Sequence, residues 1–111
     1  MGHFFTFASR ACPIRFFEDD PITVTLFIGD ETDKLCLRSA ALIGEGDSAA
    51  TPAERAQKYL EAVELLLGKE KLDAIFARAE TQDSFALLEI WQFAVKTLRD
   101  AKVKNLSASV R

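Results

Sequence analysis

The residues most suggestive of ligand chemistry are Gly44 and Gly46, in a Gly-Glu-Gly-Asp-Ser-Ala segment that fits the dinucleotide-binding pattern G-x-G-x-x-A. A phosphate site of this type needs a helix that begins at the glycines, so that its first backbone N–H groups meet the pyrophosphate. Here the predicted helix start is Thr51-Pro52, several residues later, and the acidic residue for the ribose would fall near Glu64, inside a helix. A linker over residues 44–50 is therefore favoured over a nucleotide site.

Carboxylates cluster at two further places. Asp30, Glu31 and Asp33 could suggest calcium, but the segment lacks the alternating ligands, the glycine in mid-loop and the closing glutamate of an EF-hand. Glu61 and Glu64 lie three residues apart and could form an acid–base pair of the kind that glycosidases use. The spacing fits the solvated face of an amphipathic helix better. We interpret the first cluster as a solvated turn and the second as a helix surface.

Thiol and imidazole chemistry is limited to Cys12, Cys36 and His3. These residues form no CxxC pair and cannot assemble a zinc site by themselves. The sequence contains no G-x-S-x-G, Cys-His-Asn or H-E-x-x-H motif, and its single histidine lies near the chain start. We therefore predict a protein that is not an enzyme, with no cofactor and no metal, and with reduced thiols as in the cytoplasm.

Length and charge limit the partners. The chain has 111 residues, which suits a single domain over 1–111, and 49% hydrophobic residues, which suits a globular fold. A net charge of −3 makes nucleic acid an unlikely partner, although residues 96–111 carry five basic side chains. The longest uncharged stretch, Pro21 to Gly29, is too short to cross a membrane.

The first half of the chain is predicted to be extended. Ile22, Val24, Leu26 and Ile28 alternate with polar or outward residues, which is typical of a strand. Residues 30–34 have turn chemistry and residues 35–38 alternate again, so the pattern predicts an antiparallel β-hairpin over residues 22–38. Residues 1–20 are not assigned, apart from candidate edge strands at 4–7 and 14–17.

The second half, residues 52–100, is predicted to form three helices. Thr51 as N-cap, Pro52 at the first helical position and Glu54 form a capping box, and Gly68 ends the first helix at Leu67. A shorter helix is predicted over 69–79.

The third helix is predicted over 84–100, after a cap at Thr81 or Asp83, and a mobile tail over 103–111. The predicted fold class is therefore α+β, with an N-terminal antiparallel β-hairpin followed by a three-helix C-terminal region.

The third helix carries nine apolar residues between Phe85 and Leu98, more than one small core can cover. Phe85, Leu88 and Phe93 are the residues we predict to remain available to a partner chain. Such a patch also predicts self-association into a homo-oligomer when no client is present.

The segment Leu65-Leu66-Leu67-Gly68-Lys69-Glu70, the following Leu72 and Phe76, and the later apolar helix after Asp83 resemble the tail assembly chaperones of long-tailed bacteriophages and prophages. The resemblance covers roughly residues 55–98. It implies a non-enzymatic role in the host cytoplasm, in which the protein binds the tape measure protein and assists assembly of the tail tube protein around it. It carries over no catalytic or metal residues.

Three alternatives remain open from the sequence. The first is a small interaction or regulatory subunit unrelated to phages, which the neighbouring genes would distinguish. The second is a small-ligand binding protein or enzyme that uses residues 44–49, which a thermal shift with nucleotides would reveal. The third is a nucleic-acid accessory protein that uses the basic tail, which a salt-dependent gel shift would reveal.

Overall fold

The structure of the protein, a computed structural model, describes residues 11–110, with side-chain surroundings for residues 11–104. These residues form two strands and four helices, in the order β1 (Ala11–Phe16), β2 (Ile22–Phe27), α1 (Asp30–Asp47), α2 (Pro52–Leu67), α3 (Lys69–Ala77) and α4 (Ser84–Val110). The predicted α+β class, an antiparallel hairpin followed by helices, is confirmed, with four helices where the sequence predicts three.

The hairpin pairs β1 with β2 rather than β2 with residues 35–38. The strands run antiparallel in a register that joins Cys12 to Leu26, Ile14 to Val24 and Phe16 to Ile22. These six side chains face the helices, while alternate residues face outward, as the period of two requires. The predicted strand from Ile22 is confirmed, and so is the candidate strand at 14–17 over most of its length. The candidate strand at 4–7 lies outside the described residues.

The predicted hairpin over 22–38 is wrong, because residues 30–47 form α1. The predicted linker over 44–50 is wrong for residues 44–47, whereas residues 48–50 do connect α1 to α2. Its first turn carries Asp30, Glu31 and Asp33, and carboxylates there stabilise the positive end of the helix dipole. Ser39 and Ile43 of this helix are buried, and their spacing of four residues is helical. The short alternation of apolar and polar residues at 35–38 led to the prediction of a strand instead.

The helix α2 begins and ends where the sequence predicts. The hydroxyl of Thr51 accepts the N–H of Glu54 at 3.2 Å, and Pro52 occupies the first turn. Gly68 ends the helix with φ +88°, a conformation that only glycine adopts without strain, and α3 follows at once.

The helix α4 is longer than predicted. Asp83 accepts the N–H of Ala86 at 3.0 Å and so caps the start, as predicted. The helix then continues to Val110 rather than ending at Asp100. Lys102 remains tied to Asp33 of α1 by an ion pair of 3.1 Å. The predicted mobility of residues 103–111 stays a prediction.

The core lies where the hairpin, α2, α3 and the inner face of α4 meet. Ile14, Val63, Leu72 and Ile75 are its largest fully buried apolar side chains. α1 joins this core through the buried side chain of Ile43. It is also linked to α4 by a hydrogen bond, since the indole N–H of Trp91 donates to the buried hydroxyl of Ser39 at 2.8 Å. That hydroxyl donates in turn to the carbonyl of Cys36 at 3.0 Å, so the buried oxygen is satisfied.

Candidate functional site

The three residues predicted to meet a partner do not form one surface. Phe85 is exposed to 69% and Phe93 to 44%, whereas Leu88 is half-buried against the core. At about 100° per residue, Leu88 and Phe93 lie roughly 140° apart around α4. Two of the predicted residues are therefore accessible, and Phe93 faces a different neighbourhood from Leu88.

Phe93 lies in a cleft between the hairpin and the α3–α4 junction. The cleft has a volume of about 460 Å³. Its floor is apolar, because Ile75 and Ile90 are buried there. The rings of Phe16 and Phe93 meet edge to face, with centroids 5.2 Å apart. We call this depression, together with Phe17 at its side, the aromatic cleft.

Phe17 is placed in the aromatic cleft by a backbone conformation that aromatic residues rarely adopt. Its φ is +73°, in the left-handed region, and its side chain is 37% exposed. Such strain costs about 1–2 kcal/mol and persists only where the surroundings impose it. The strand β1, in which exposed and buried residues alternate, ends at Phe16. The turn that follows therefore sets the direction of the Phe17 side chain.

Arg78 holds that turn from the other side. Its guanidinium donates to the carbonyls of Asp19, at 2.8 Å, and Asp20. The same guanidinium carbon lies 4.3 Å from the centroid of the Phe17 ring, which is cation–π geometry. One arginine at the end of α3 thus fixes both the hairpin turn and an exposed aromatic ring.

The rim of the aromatic cleft is polar and of mixed charge. Arg15 lies on the hairpin side, Glu80 and Thr81 on the α3 side and Glu89 on α4. An apolar floor with a polar rim is the usual anatomy of a protein-binding surface. The volume is also in the range of small-ligand pockets, but the cleft is shallow and lacks a cluster of converging polar groups.

Reactive groups give no second site within residues 11–104. No group of three or more potential metal ligands occurs there, and Asp30, Glu31 and Asp33 serve the first turn of α1. Burial raises the pKa of the Cys12 thiol, and burial followed by the charge of Asp33 raises that of Cys36. Both thiols are free in this structure and are poor nucleophiles in such surroundings.

The glycine segment that fits the dinucleotide-binding pattern is used for packing. Gly44 and Gly46 lie in the last turn of α1, whereas the next helix begins at Pro52. A Cβ atom on Gly46 would lie 2.7 Å from the Tyr59 ring. The absence of a side chain at Gly46 therefore allows α2 to pack closely against α1, and it is not explained by a bound phosphate. Tyr59 donates its hydroxyl to Asp47, which raises the pKa of Tyr59 above its ordinary value.

The sequence interpretation missed Phe16, Phe17 and Arg78 as parts of a site. The signal available for the first two was their position between a strand and the acidic run at 18–20. No local signal marks Arg78, because its partners are 58 and 59 residues away along the chain.

Comparison with known proteins found no protein-family model, curated protein or solved structure that matches the chain. Among the described residues, no helix is both long enough and apolar enough to cross a membrane.

Proposed function

We propose that this chain is a non-enzymatic tail assembly chaperone that binds the tape measure protein of a long-tailed phage or prophage through the aromatic cleft. The observation that carries the proposal is the exposure of Phe17 and Phe93 at an apolar cleft that no other side chain among residues 11–104 fills. The phage assignment itself rests on the resemblance of residues 55–98.

The cleft suits an amphipathic helix as its occupant. A long helical client exposes apolar side chains at intervals of three and four residues, and these are the groups that a hydrophobic groove accepts. Phe85 does not line the cleft and lies about 12 Å before Phe93 along α4 and about 80° around the helix, so it offers a separate apolar contact. Arg15 and Glu89 would then orient the client through its polar flank.

A chaperone prevents aggregation by covering the apolar surface of its client. Each Å² of apolar area removed from water favours the complex by roughly 25 cal/mol before the costs of association are subtracted. A client whose helices are covered during synthesis is withheld from aggregation until the tail tube protein replaces the chaperone.

The test is co-expression with a phage tape measure protein, with soluble client yield and co-purification as readouts. Phe93→Ser should reduce both several-fold. Leu37→Ser is the matched control, because Leu37 is 73% exposed on α1 and does not line the cleft.

Equal client recovery with wild type and Phe93→Ser would contradict the role of the cleft. A neighbourhood without tail genes, together with no binding to any tape measure protein, would remove the phage assignment and leave the alternative of an interaction or regulatory subunit.

A further inference from the structure

The two edges of the hairpin differ in how they are protected. β1 contains Pro13, which has no N–H, and a proline on an edge strand hinders addition of another strand. β2 reads Ile-Thr-Val-Thr-Leu-Phe, with neither proline nor charge. Uncharged, β-branched edge strands of this kind are the ones that pair with other chains.

The register shows which backbone groups of β2 face outward. Pro13 opposes Thr25, and because Pro13 cannot donate, this is a non-hydrogen-bonded pair. The alternation then makes Arg15–Thr23 and Ala11–Phe27 non-hydrogen-bonded as well. The N–H and C=O groups of Thr23, Thr25 and Phe27 therefore point away from β1.

A side-chain contact supports this assignment. The hydroxyl of Thr32 donates to the carbonyl of Phe27, as expected for a carbonyl that points away from β1. No backbone partner for Thr23 or Thr25 occurs on that side within residues 11–110. A cleft of about 520 Å³ lies beside the C-terminal part of β2 and is lined by residues 25–32.

We propose that β2 pairs antiparallel with β2 of a second copy about a two-fold axis at Val24, giving a four-stranded sheet in the order β1-β2-β2-β1. In this register Thr23 of each copy opposes Thr25 of the other. The two pairs form four backbone hydrogen bonds, and the Thr–Thr pairs on the outer face add a favourable cross-strand contact.

The register follows from two residues of β2 and its start that cannot form a full set of hydrogen bonds with a second strand. Pro21 has no N–H to give, and the carbonyl of Phe27 already accepts from Thr32. With the axis at Val24, Pro21 of one copy opposes Phe27 of the other. The N–H that Pro21 lacks would have faced the carbonyl of Phe27, and that carbonyl already has a donor in Thr32. An axis at Thr23 would place Pro21 opposite Thr25 and leave the carbonyl of Thr25 unpaired.

The inner face of the sheet also gains from this pairing. Ile22 and Leu26 are only half-buried in one chain, whereas Val24 is buried. In the dimer Ile22 of one copy lies opposite Leu26 of the other, so the inner apolar row continues across the axis.

Like charges oppose the pairing at its two ends. Asp19 and Asp20 of one copy approach Asp30 and Glu31 of the other, just beyond the paired residues. Because salt screens such exposed charges, the dimer should strengthen as ionic strength rises. A dimer held by a charged surface would show the opposite dependence.

The register can be tested by cysteine cross-linking in the full chain. Opposed residues of a hydrogen-bonded pair lie with Cα atoms about 5.5 Å apart, which suits a disulfide. A mixture of Thr23→Cys and Thr25→Cys chains should oxidise to a dimer joined between these positions, as located by mass spectrometry. Either variant alone should give far less of a dimer joined at its new cysteine.

The edge itself is tested by Thr25→Pro, which removes an outward N–H and no bond to β1. Sedimentation should show at least a tenfold weaker dimer, while Thr25→Val, which keeps the N–H, should resemble wild type.

A wild-type chain that stays monomeric at all concentrations and salt levels overturns the proposal. So does a Thr25→Cys chain that cross-links to itself as fast as the mixture does. If Thr25→Pro does not fold, the cross-linking pair alone decides the matter.

Discussion

The α1–α2 pair and the aromatic cleft differ in how completely their apolar side chains are packed. Where α1 meets α2, Gly46 lies so close to the Tyr59 ring that not even a methyl group fits, and Tyr59 is tied to Asp47. At the cleft, Phe17 and Phe93 remain partly in water, and the backbone of Phe17 is strained. The first region is filled as a protein interior is, and the second is not. The contrast assigns stability to the helix pair and supports the proposal that the cleft binds a partner.

The largest effect is expected at Gly46. Gly46→Ala would force the Tyr59 ring to move, and overpacking of this kind costs about 1–3 kcal/mol. The better helix propensity of alanine, about 1 kcal/mol, offsets only part of this cost. Urea unfolding should show a less stable protein.

Gly44→Ala is the matched control for this substitution. Nothing lies within 4 Å of a Cβ at Gly44, so the same substitution should stabilise the chain by about 1 kcal/mol. Equal effects at the two glycines would show that the helix pair is not closely packed.

A net effect of similar size is expected at Tyr59. Tyr59→Phe removes the hydrogen bond to Asp47 and should lower the free energy of unfolding by about 1–2 kcal/mol near pH 7. The hydrogen bond raises the pKa of Tyr59 in the folded state, so its contribution is present below the ordinary tyrosine value of about 10 and is lost as pH rises through the folded pKa.

The pH dependence provides the control for that prediction. Above about pH 10 the wild-type chain should lose stability more steeply than Tyr59→Phe. In the wild type the unfolded chain loses the Tyr59 hydroxyl proton at a lower pH than the folded chain, whereas phenylalanine has no such proton. Parallel curves would mean that the Tyr59–Asp47 contact does not persist in solution.

At the cleft, the smallest stability effect is expected for Arg78. Arg78→Leu removes the contacts to the carbonyls of Asp19 and Asp20 and to the Phe17 ring. The side chain is exposed, so the loss should be about 1 kcal/mol or less. Faster amide exchange should be confined to the turn at residues 17–21. Exchange that increases throughout the core would contradict a local role.

Local signals were sufficient where caps and periodicity agreed, as at Thr51, Pro52 and Gly68 of α2 and at Asp83 before α4. They failed over residues 30–47 because an acidic first turn resembles a loop. Glycines near a helix end likewise resemble a linker until the neighbouring Tyr59 is known. The cleft was only partly predictable: exposed aromatics on α4 follow from their number, but the contacts of Phe93 with Phe16 depend on tertiary structure.

The central claim, that the aromatic cleft is kept open for a partner at some cost in stability, is tested most directly by Phe17→Gly. Glycine adopts φ +73° without strain, so loss of the ring contacts should be largely offset and the free energy of unfolding should change by less than about 1 kcal/mol. Affinity for the tape measure client, measured by titration calorimetry on the same preparation, should fall at least tenfold. A variant that binds as tightly as wild type, or one that loses stability by several kcal/mol, would contradict the account.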